Sequence, residues 1–221
     1  MVPCERTYNR VLSCYVLLPH MSSLPIPVTT VILAGGLGRR MGGDKGLQTL
    51  HGRALLSWVL EAVRQNSNEI LINANSTRQD YAQFGFQVIA DQLPDWPGPL
   101  AGLHAALLVA QNEYVMTVPC DTPFLPDDLI PRLLGALPLQ STEAAVAVTG
   151  GRRQPAIALY RKSVLPGLLG YLASGKRKVN DWLDSLQLSE VVFDNADSFD
   201  NINTLDDLSL ASERFNSTGK E

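Results

Sequence analysis

Cysteine is scarce in this chain. Cys4, Cys14 and Cys120 are the only three among 221 residues. Their spacing fits no zinc ligand set and no framework of disulfides. They read as reduced thiols, and the expected compartment is the cytoplasm. Histidine is equally thin, with His20, His51 and His104. No Ser-His-Asp set can be built, and no histidine is placed to activate Cys120. No apolar run approaches the ~20 residues that span a bilayer, so no membrane is expected as a partner. Positive charge is in slight deficit, 18 Lys and Arg against 22 Asp and Glu, for a net charge of -4. That argues against nucleic-acid binding through a broad basic surface and leaves room for a locally basic anion pocket. The remaining balance, 45% hydrophobic and 18% charged, is that of an ordinary globular domain.

Glycine is plentiful in one place. After the apolar run Val31-Ile32-Leu33-Ala34, the chain carries Gly35, Gly36, Gly38, Gly42 and Gly43, with Arg39, Arg40 and Lys45 among them. A buried strand opening into such a loop lets backbone N–H groups approach a ligand closely and form a concave anion site. Arg40 and Lys45 add fixed positive charge, and the combination points to a polyphosphate such as a nucleoside triphosphate. Generic phosphate loops do not fit. A Walker A loop needs Ser or Thr after its lysine, and Lys45 is followed by Gly46. The dinucleotide fingerprint is approached only loosely, and Asn73 or Asn75 stands where an acid would close the second strand.

Residues 1–27 read as an N-terminal extension, expected to be disordered. They hold a short interrupted apolar run from Val11 to Leu18 that resembles a signal peptide only weakly, and Met21 begins a natural-looking segment. Residues 28–215 read as one domain and 216–221 as a polar tail. Strands are predicted at Ile70–Ile72, Phe86–Ala90, Tyr114–Val118, Ala144–Val148, Ala156–Tyr160 and Val191–Phe193. Helices are predicted at about 54–65, near Gln79–Phe84, through Leu100, Leu103 and Leu107, from Pro126, and over Ser163–Ala173 and Val179–Leu186. A last helix is expected over Thr204–Ala211, with Thr204 as N-cap and Asp207 three residues on. This alternation predicts a parallel-rich α/β sheet with right-handed crossovers. Ligands of such sheets bind at the carboxyl ends of strands. The glycine loop, Asn73, Asp91 and Asp121 each follow a predicted strand and should converge on one crevice.

Asp121, between Pro119 and Pro123, is the strongest single candidate. A carboxylate there suits Mg²⁺ held together with phosphate oxygens; the alternative is an Asx-turn or a helix cap. Asp91 is a second acid or a solvated strand end. Pro97-Gly98-Pro99-Leu100-Ala101-Gly102 sets a rigid turn and a helix N-terminus toward the ligand. Trp96, in the same loop, could pack beside a base or serve as a loop anchor. Lys176-Arg177-Lys178 is the only cationic triplet, either a solvated helix face or a clamp for a second anionic substrate. Asn201 and Asn203 could read a heterocycle edge through their amides, or form a turn before the last helix.

The run LAGGLGRRMGGDKG resembles the opening signature of the molybdenum cofactor guanylyltransferase family, MobA-like nucleotidyltransferases. The pattern appears as Leu33-Ala34-Gly35-Gly36, Arg40-Met41-Gly42-Gly43 and Asp44-Lys45. Asp44 directly follows Gly43, where some relatives carry one more residue. Further matches follow in order: Pro97 to Gly102, Cys120-Asp121-Thr122-Pro123, Gln154-Pro155-Ala156 and Asn201-Ile202-Asn203-Thr204. The resemblance spans roughly residues 29–210. It implies a three-layer, Rossmann-like α/β nucleotidyltransferase fold with a mostly parallel central sheet. It implies GMP transfer from GTP to molybdenum-molybdopterin, giving the guanine dinucleotide cofactor and pyrophosphate. On the same basis Leu33, Ala34, Gly35, Lys45, Asn73, Asp91 and Asp121 would bind the nucleotide, and Asp121 would hold Mg²⁺. Arg40, Lys45 and Asp121 would be catalytic. Gly102, Gln154, Lys176, Arg177, Asn201 and Asn203 would face the molybdopterin. Proteins that deliver molybdopterin or mature molybdoenzymes would be partners. The cytidylyltransferase branch more often carries L-A-A-G and D-Q-P, so the motifs favour guanine. A sugar-phosphate nucleotidyltransferase, or a non-catalytic nucleotide or pterin binder, would share the fold.

Overall fold

The computed structural model describes residues 26–35, 44–76, 78–92, 98–137 and 141–218. The expected extension, apart from its last two residues, lies outside them, as do Arg39, Arg40 and Trp96. Strand β1 (Val28–Leu33) is followed by the short ribbon β2 (Thr49–Leu50) and β3 (Arg53–Ala54), helix α1 (Leu55–Arg64) and β4 (Glu69–Asn73). Then come α2 (Arg78–Ala82), β5 (Gln87–Ile89), α3 (Pro99–Val109), β6 (Tyr114–Pro119) and α4 (Leu129–Gly135). The chain ends with β7 (Ala144–Thr149), β8 (Arg152–Arg161), α5 (Leu165–Ala173), α6 (Val179–Leu183), β9 (Leu188–Val192) and α7 (Leu205–Thr218).

Seven strands form the central sheet in the order β5-β4-β1-β6-β8-β7-β9. Every neighbouring pair is parallel except those made by β8, which runs against both β6 and β7. The sheet is therefore mostly parallel, as expected, with one reversed strand inside it. That strand returns through Gly150 and Gly151, both at positive φ (53° and 72°), the turn that joins antiparallel strands most tightly.

Alternation along the strands divides the core between two faces. Ile32, Ile72, Met116, Ala145 and Leu159 face α1, Tyr81 of α2 and α4. Their neighbours Val31, Leu71, Val115, Ala144, Ala158 and Tyr160 face α3, α5 and α6. With both faces covered, the architecture is a three-layer α/β/α sandwich. The fully buried hydroxyls of β1 are satisfied rather than excluded. Thr29 Oγ1 donates to Glu69 Oε2 at 2.6 Å, and Thr30 Oγ1 lies 2.6 Å from Ser67 Oγ.

Several elements depart from expectation; β9 opens at Leu188 rather than Val191, and α7 runs on to Thr218 rather than ending at Ala211. The helix predicted to open at Pro126 begins at Leu129. The Pro126 carbonyl closes a turn onto Leu129 N, and Pro131 instead occupies the first helical turn, where a missing N–H costs nothing. The β2–β3 ribbon has no counterpart in the sequence pattern. His51 (φ 50°) and Gly52 (φ 72°) form its two-residue turn, with histidine in the place asparagine usually takes.

The strand order reverses beside β1. The chain moves outward through β4 and β5, then returns to place β6 on the other side of β1. Such a reversal opens a crevice at the carboxyl edge. The described residues that follow β1 and β6 flank it.

Candidate active site

The β1–β6 pairing continues past the strands, with Cys120 N donating to Leu33 O at 3.1 Å, so Asp121 emerges directly at the carboxyl edge. Ala34 N donates to Asn73 O at 2.8 Å, which brings Leu33, Ala34 and Gly35 to the same edge between β4 and β6.

Lys45 reaches this edge from a single 3-10 turn, Lys45–Leu47. The turn packs tightly because Gly46 has no side chain. A Cβ there would lie 2.9 Å from Tyr81 Oη and 3.2 Å from Cys120 Cβ. Seated so, Lys45 Nζ lies 3.1 Å from Asp121 Oδ2 and also donates to Asn203 Oδ1. Asp121 is only 7% exposed. Its backbone carbonyl accepts from Ile202 N at 2.9 Å, and Thr122 Oγ1 donates to Asn201 Oδ1 at 2.9 Å. The segment Asn201–Asn203 is thus laid along the Asp121 loop. It is fixed behind by a capping box, in which Asp207 Oδ2 accepts from Asn203 N and Thr204 N (both 2.9 Å) and Asp207 N donates to Thr204 Oγ1. These bonds hold the Asp207 carboxyl below its usual range, Asn203 N–H first.

A second cluster sits on the β4 side. Asn73 is buried, and its Nδ2 donates to Asp91 Oδ1 at 2.9 Å. Asn75 Nδ2 donates to Asp91 Oδ2 at 2.8 Å. Gly102, in the first turns of α3, lies against Asn73. A Cβ there would stand 2.5 Å from Asn73 Oδ1 and 2.6 Å from Leu33 Cδ2. Gly35 borders both asparagines. Asn73, Asp91, Gly35 and Gly102 therefore gather in one place, and Lys45, Asp121, Asn201 and Asn203 in another, at the same edge of the sheet.

The remaining candidates lie on the C-terminal half. Gln154 Nε2 donates to Thr149 Oγ1 at 2.8 Å, beyond the end of the β6–β8 pairing and so past the carboxyl edge of β6. Lys176 and Arg177 lie in the turn between α5 and α6. Arg177 Nη1 donates to Leu172 O and Lys176 O, and Lys176 Nζ stands 5.6 Å from the centre of the Tyr171 ring. Those contacts are local to the turn.

Burial pushes the Cys120 thiol well up, which keeps it protonated and makes it packing rather than a nucleophile. Burial lowers His104, against the opposing pull of Asp91. Sequence reasoning missed the pairing of Asn75 with Asp91, the contact of Gly46 with Tyr81 and the reach of Asp207 to Asn203. The first and the last left signals: Asn73 and Asn75 are two residues apart, and Thr204 with Asp207 three residues on is a capping pattern whose acid reaches back over the helix start.

Among the described residues no cluster of three or more His, Cys, Asp or Glu could hold a metal ion by itself. The donor set at Asp121 instead fits a hard cation that takes one protein carboxylate and completes its shell with phosphate oxygens and water.

The MobA-like NTP transferase domain model matches residues 30–191. The molybdenum cofactor guanylyltransferase of Cupriavidus pinatubonensis is 46% identical over 187 residues, covering 82% of this chain and 94% of its own. That of Shewanella sp. (strain MR-4) is 41% identical over 183 residues, covering 82% and 93%. The crystal structure of molybdopterin-guanine dinucleotide biosynthesis protein A from Archaeoglobus fulgidus superposes with a TM-score of 0.72 at 27% identity, covering 86% of this chain and 99% of that one. With its motifs in order from β1 to the segment before α7, and with these relatives matched over nearly their whole length, the chain belongs to the molybdenum cofactor guanylyltransferase family of MobA-like nucleotidyltransferases.

Proposed function

We propose that this chain transfers GMP from GTP to molybdenum-bound molybdopterin. A terminal phosphate oxygen of the pterin attacks the α-phosphorus of GTP. The bond from that phosphorus to the bridging oxygen of the β-phosphate breaks, and pyrophosphate leaves. The observation that carries this reading is the Lys45–Asp121 pair at the crevice between β1 and β6, facing the same edge as Asn73 and Asp91.

Phosphoryl transfer of this kind needs position and charge more than covalent chemistry. Leu33, Ala34 and Gly35 present backbone groups to the base, with Asn73 and Asp91 beside them. Asp121 would hold Mg²⁺, which when bound supplies charge neutralisation across the phosphate oxygens. Lys45, already poised within reach of Asp121, stabilises charge on the transferring and leaving phosphates. Arg40, outside the described residues, is assigned the same task from its place in the motif. Gln154, Lys176, Arg177, Asn201 and Asn203 are assigned to the pterin side; Gly102, which the motif also assigns there, packs against Asn73 in the nucleotide cluster. The Asn201–Asn203 segment has the strongest support, because it touches the Asp121 loop directly. On this reading the chain works in the cytoplasm, alongside proteins that deliver molybdopterin and receive the product. Among the described residues no helix is long and apolar enough to cross a membrane.

The test is pyrophosphate release with Mg²⁺, molybdopterin and GTP, CTP, ATP or UTP in separate reactions. Release with GTP alone is expected. Release with CTP would move the chain to the cytidylyltransferase branch. GTP binding without release under any condition would point to a binding protein instead.

A further inference from the structure

We propose that Asn75 is a positioning residue, which fixes the carboxylate of Asp91 for the nucleotide. Asn75 stands two residues beyond the site asparagine Asn73 and is exposed. Exposed asparagines need no partner, since water serves them. This one nevertheless spends both ends of its amide on a single residue. Its Nδ2 donates to Asp91 Oδ2 at 2.8 Å, and its Oδ1 accepts from the backbone N–H of Asp91 at 2.9 Å. The two bonds close a ring that fixes the side chain of Asp91 relative to its own backbone.

Asn73 completes the clamp from the buried side, donating to the other carboxylate oxygen at 2.9 Å. Each oxygen of Asp91 therefore accepts one amide proton from the protein. Each has two lone-pair sites, so each keeps one acceptor position for a ligand. A carboxylate on a strand-end loop would otherwise rotate freely and lose that orientation on binding. The two asparagines remove the rotation in advance, one through the sheet and the other from the surface. β4 pairs with β5, and Ala74 N donates to Ile89 O at 2.9 Å, so the backbone registers Asn75 against Asp91 without help from either side chain. The side-chain bonds are thus additional to what the fold requires.

This role rests on the assignment of Asp91 to nucleotide binding, and the test separates the two. Equilibrium binding of GTP with Mg²⁺ is measured by titration calorimetry on the whole chain and on Asn75→Ala, Asp91→Ala and the double variant. Asn75→Ala is expected to weaken binding about tenfold, the scale of one hydrogen bond to a charged group. In the Asp91→Ala background the same substitution is expected to change binding by less than about twofold, because its target is gone. Asn75→Asp keeps an acceptor for Asp91 N–H but sets carboxylate against carboxylate, and is expected to bind GTP more weakly than Asn75→Ala. Equal weakening in both backgrounds, or rescue by Asn75→Asp, overturns the positioning role. A silent Asn75→Ala beside a damaging Asp91→Ala overturns it too, and leaves Asp91 at the nucleotide. A silent Asp91→Ala removes Asp91 from the nucleotide site and the role of Asn75 with it.

Discussion

Lys45 and Asp121 are 76 residues apart in the chain and 3.1 Å apart in the fold. Asp121 is largely buried and Lys45 keeps a quarter of its side chain exposed (11% and 25%), so a ligand can reach the pair from the lysine side. In the proposed reaction a polyphosphate would draw the lysine and a cation would draw the aspartate. Until then the ion pair holds both groups at the crevice.

Asp121→Ala is expected to abolish Mg²⁺-dependent pyrophosphate release while the protein stays folded. Turnover at saturating Mg²⁺ and GTP is the measurement. Full activity in a stable variant would take Asp121 out of the mechanism.

Lys45→Ala is expected to lower kcat by about 10²–10³-fold, the usual loss for a group that stabilises developing charge. GTP binding is expected to fall less than turnover. Steady-state kinetics across GTP concentration separates the two.

Gly46→Ala is expected to destabilise the fold by about 1–3 kcal/mol, because its Cβ would overlap Tyr81 Oη and crowd Cys120. Urea denaturation reads the loss. Adding Tyr81→Phe removes the oxygen and is expected to restore part of it.

The capping carboxylate of α7 gives a pH dependence. Bonds from Asn203 and Thr204 hold the folded pKa of Asp207 below its unfolded value. Its stabilisation is therefore fully present above the ordinary carboxylate pKa of about 3.9, and is lost as pH falls through the lower folded value. The gap in urea midpoint between the native chain and Asp207→Ala is expected to be largest near neutrality and to narrow as pH falls below the ordinary carboxylate range. A gap that stays constant with pH would mean that the charge of Asp207 is irrelevant.

Strand ends were the legible part of this site. Asn73, Asp91 and Asp121 could be placed together because each closes an apolar run, and a parallel sheet aligns such ends on one edge. The direction of β8 was not read. Its Gly150-Gly151 turn signals a hairpin between Ala144–Thr149 and Arg152–Arg161, a local cue that the surrounding strand–helix alternation overshadowed. The start of α4 was misplaced because proline favours the first helical turn, and two prolines, Pro126 and Pro131, compete for it within six residues. The contact of Lys45 with Asn203 spans 158 positions. No periodicity records a pairing at that distance, and only the closed fold reveals it.

The turn of the β2–β3 ribbon touches α7 as well. His51 Nε2 lies 3.1 Å from Ser212 O, and its ring stands 5.3 Å from that of Phe215. The last helix thus supports the loop that carries Lys45 and also begins just after Asn203. Its position has a temporal consequence. A ribosome delivers Lys45 and Asp121 long before Asn203, so a nascent chain can bring the charged pair together while the asparagine that steadies it is still being made. The lysine gains its contact with Asn203 only once that residue has been made, 158 positions after the lysine itself.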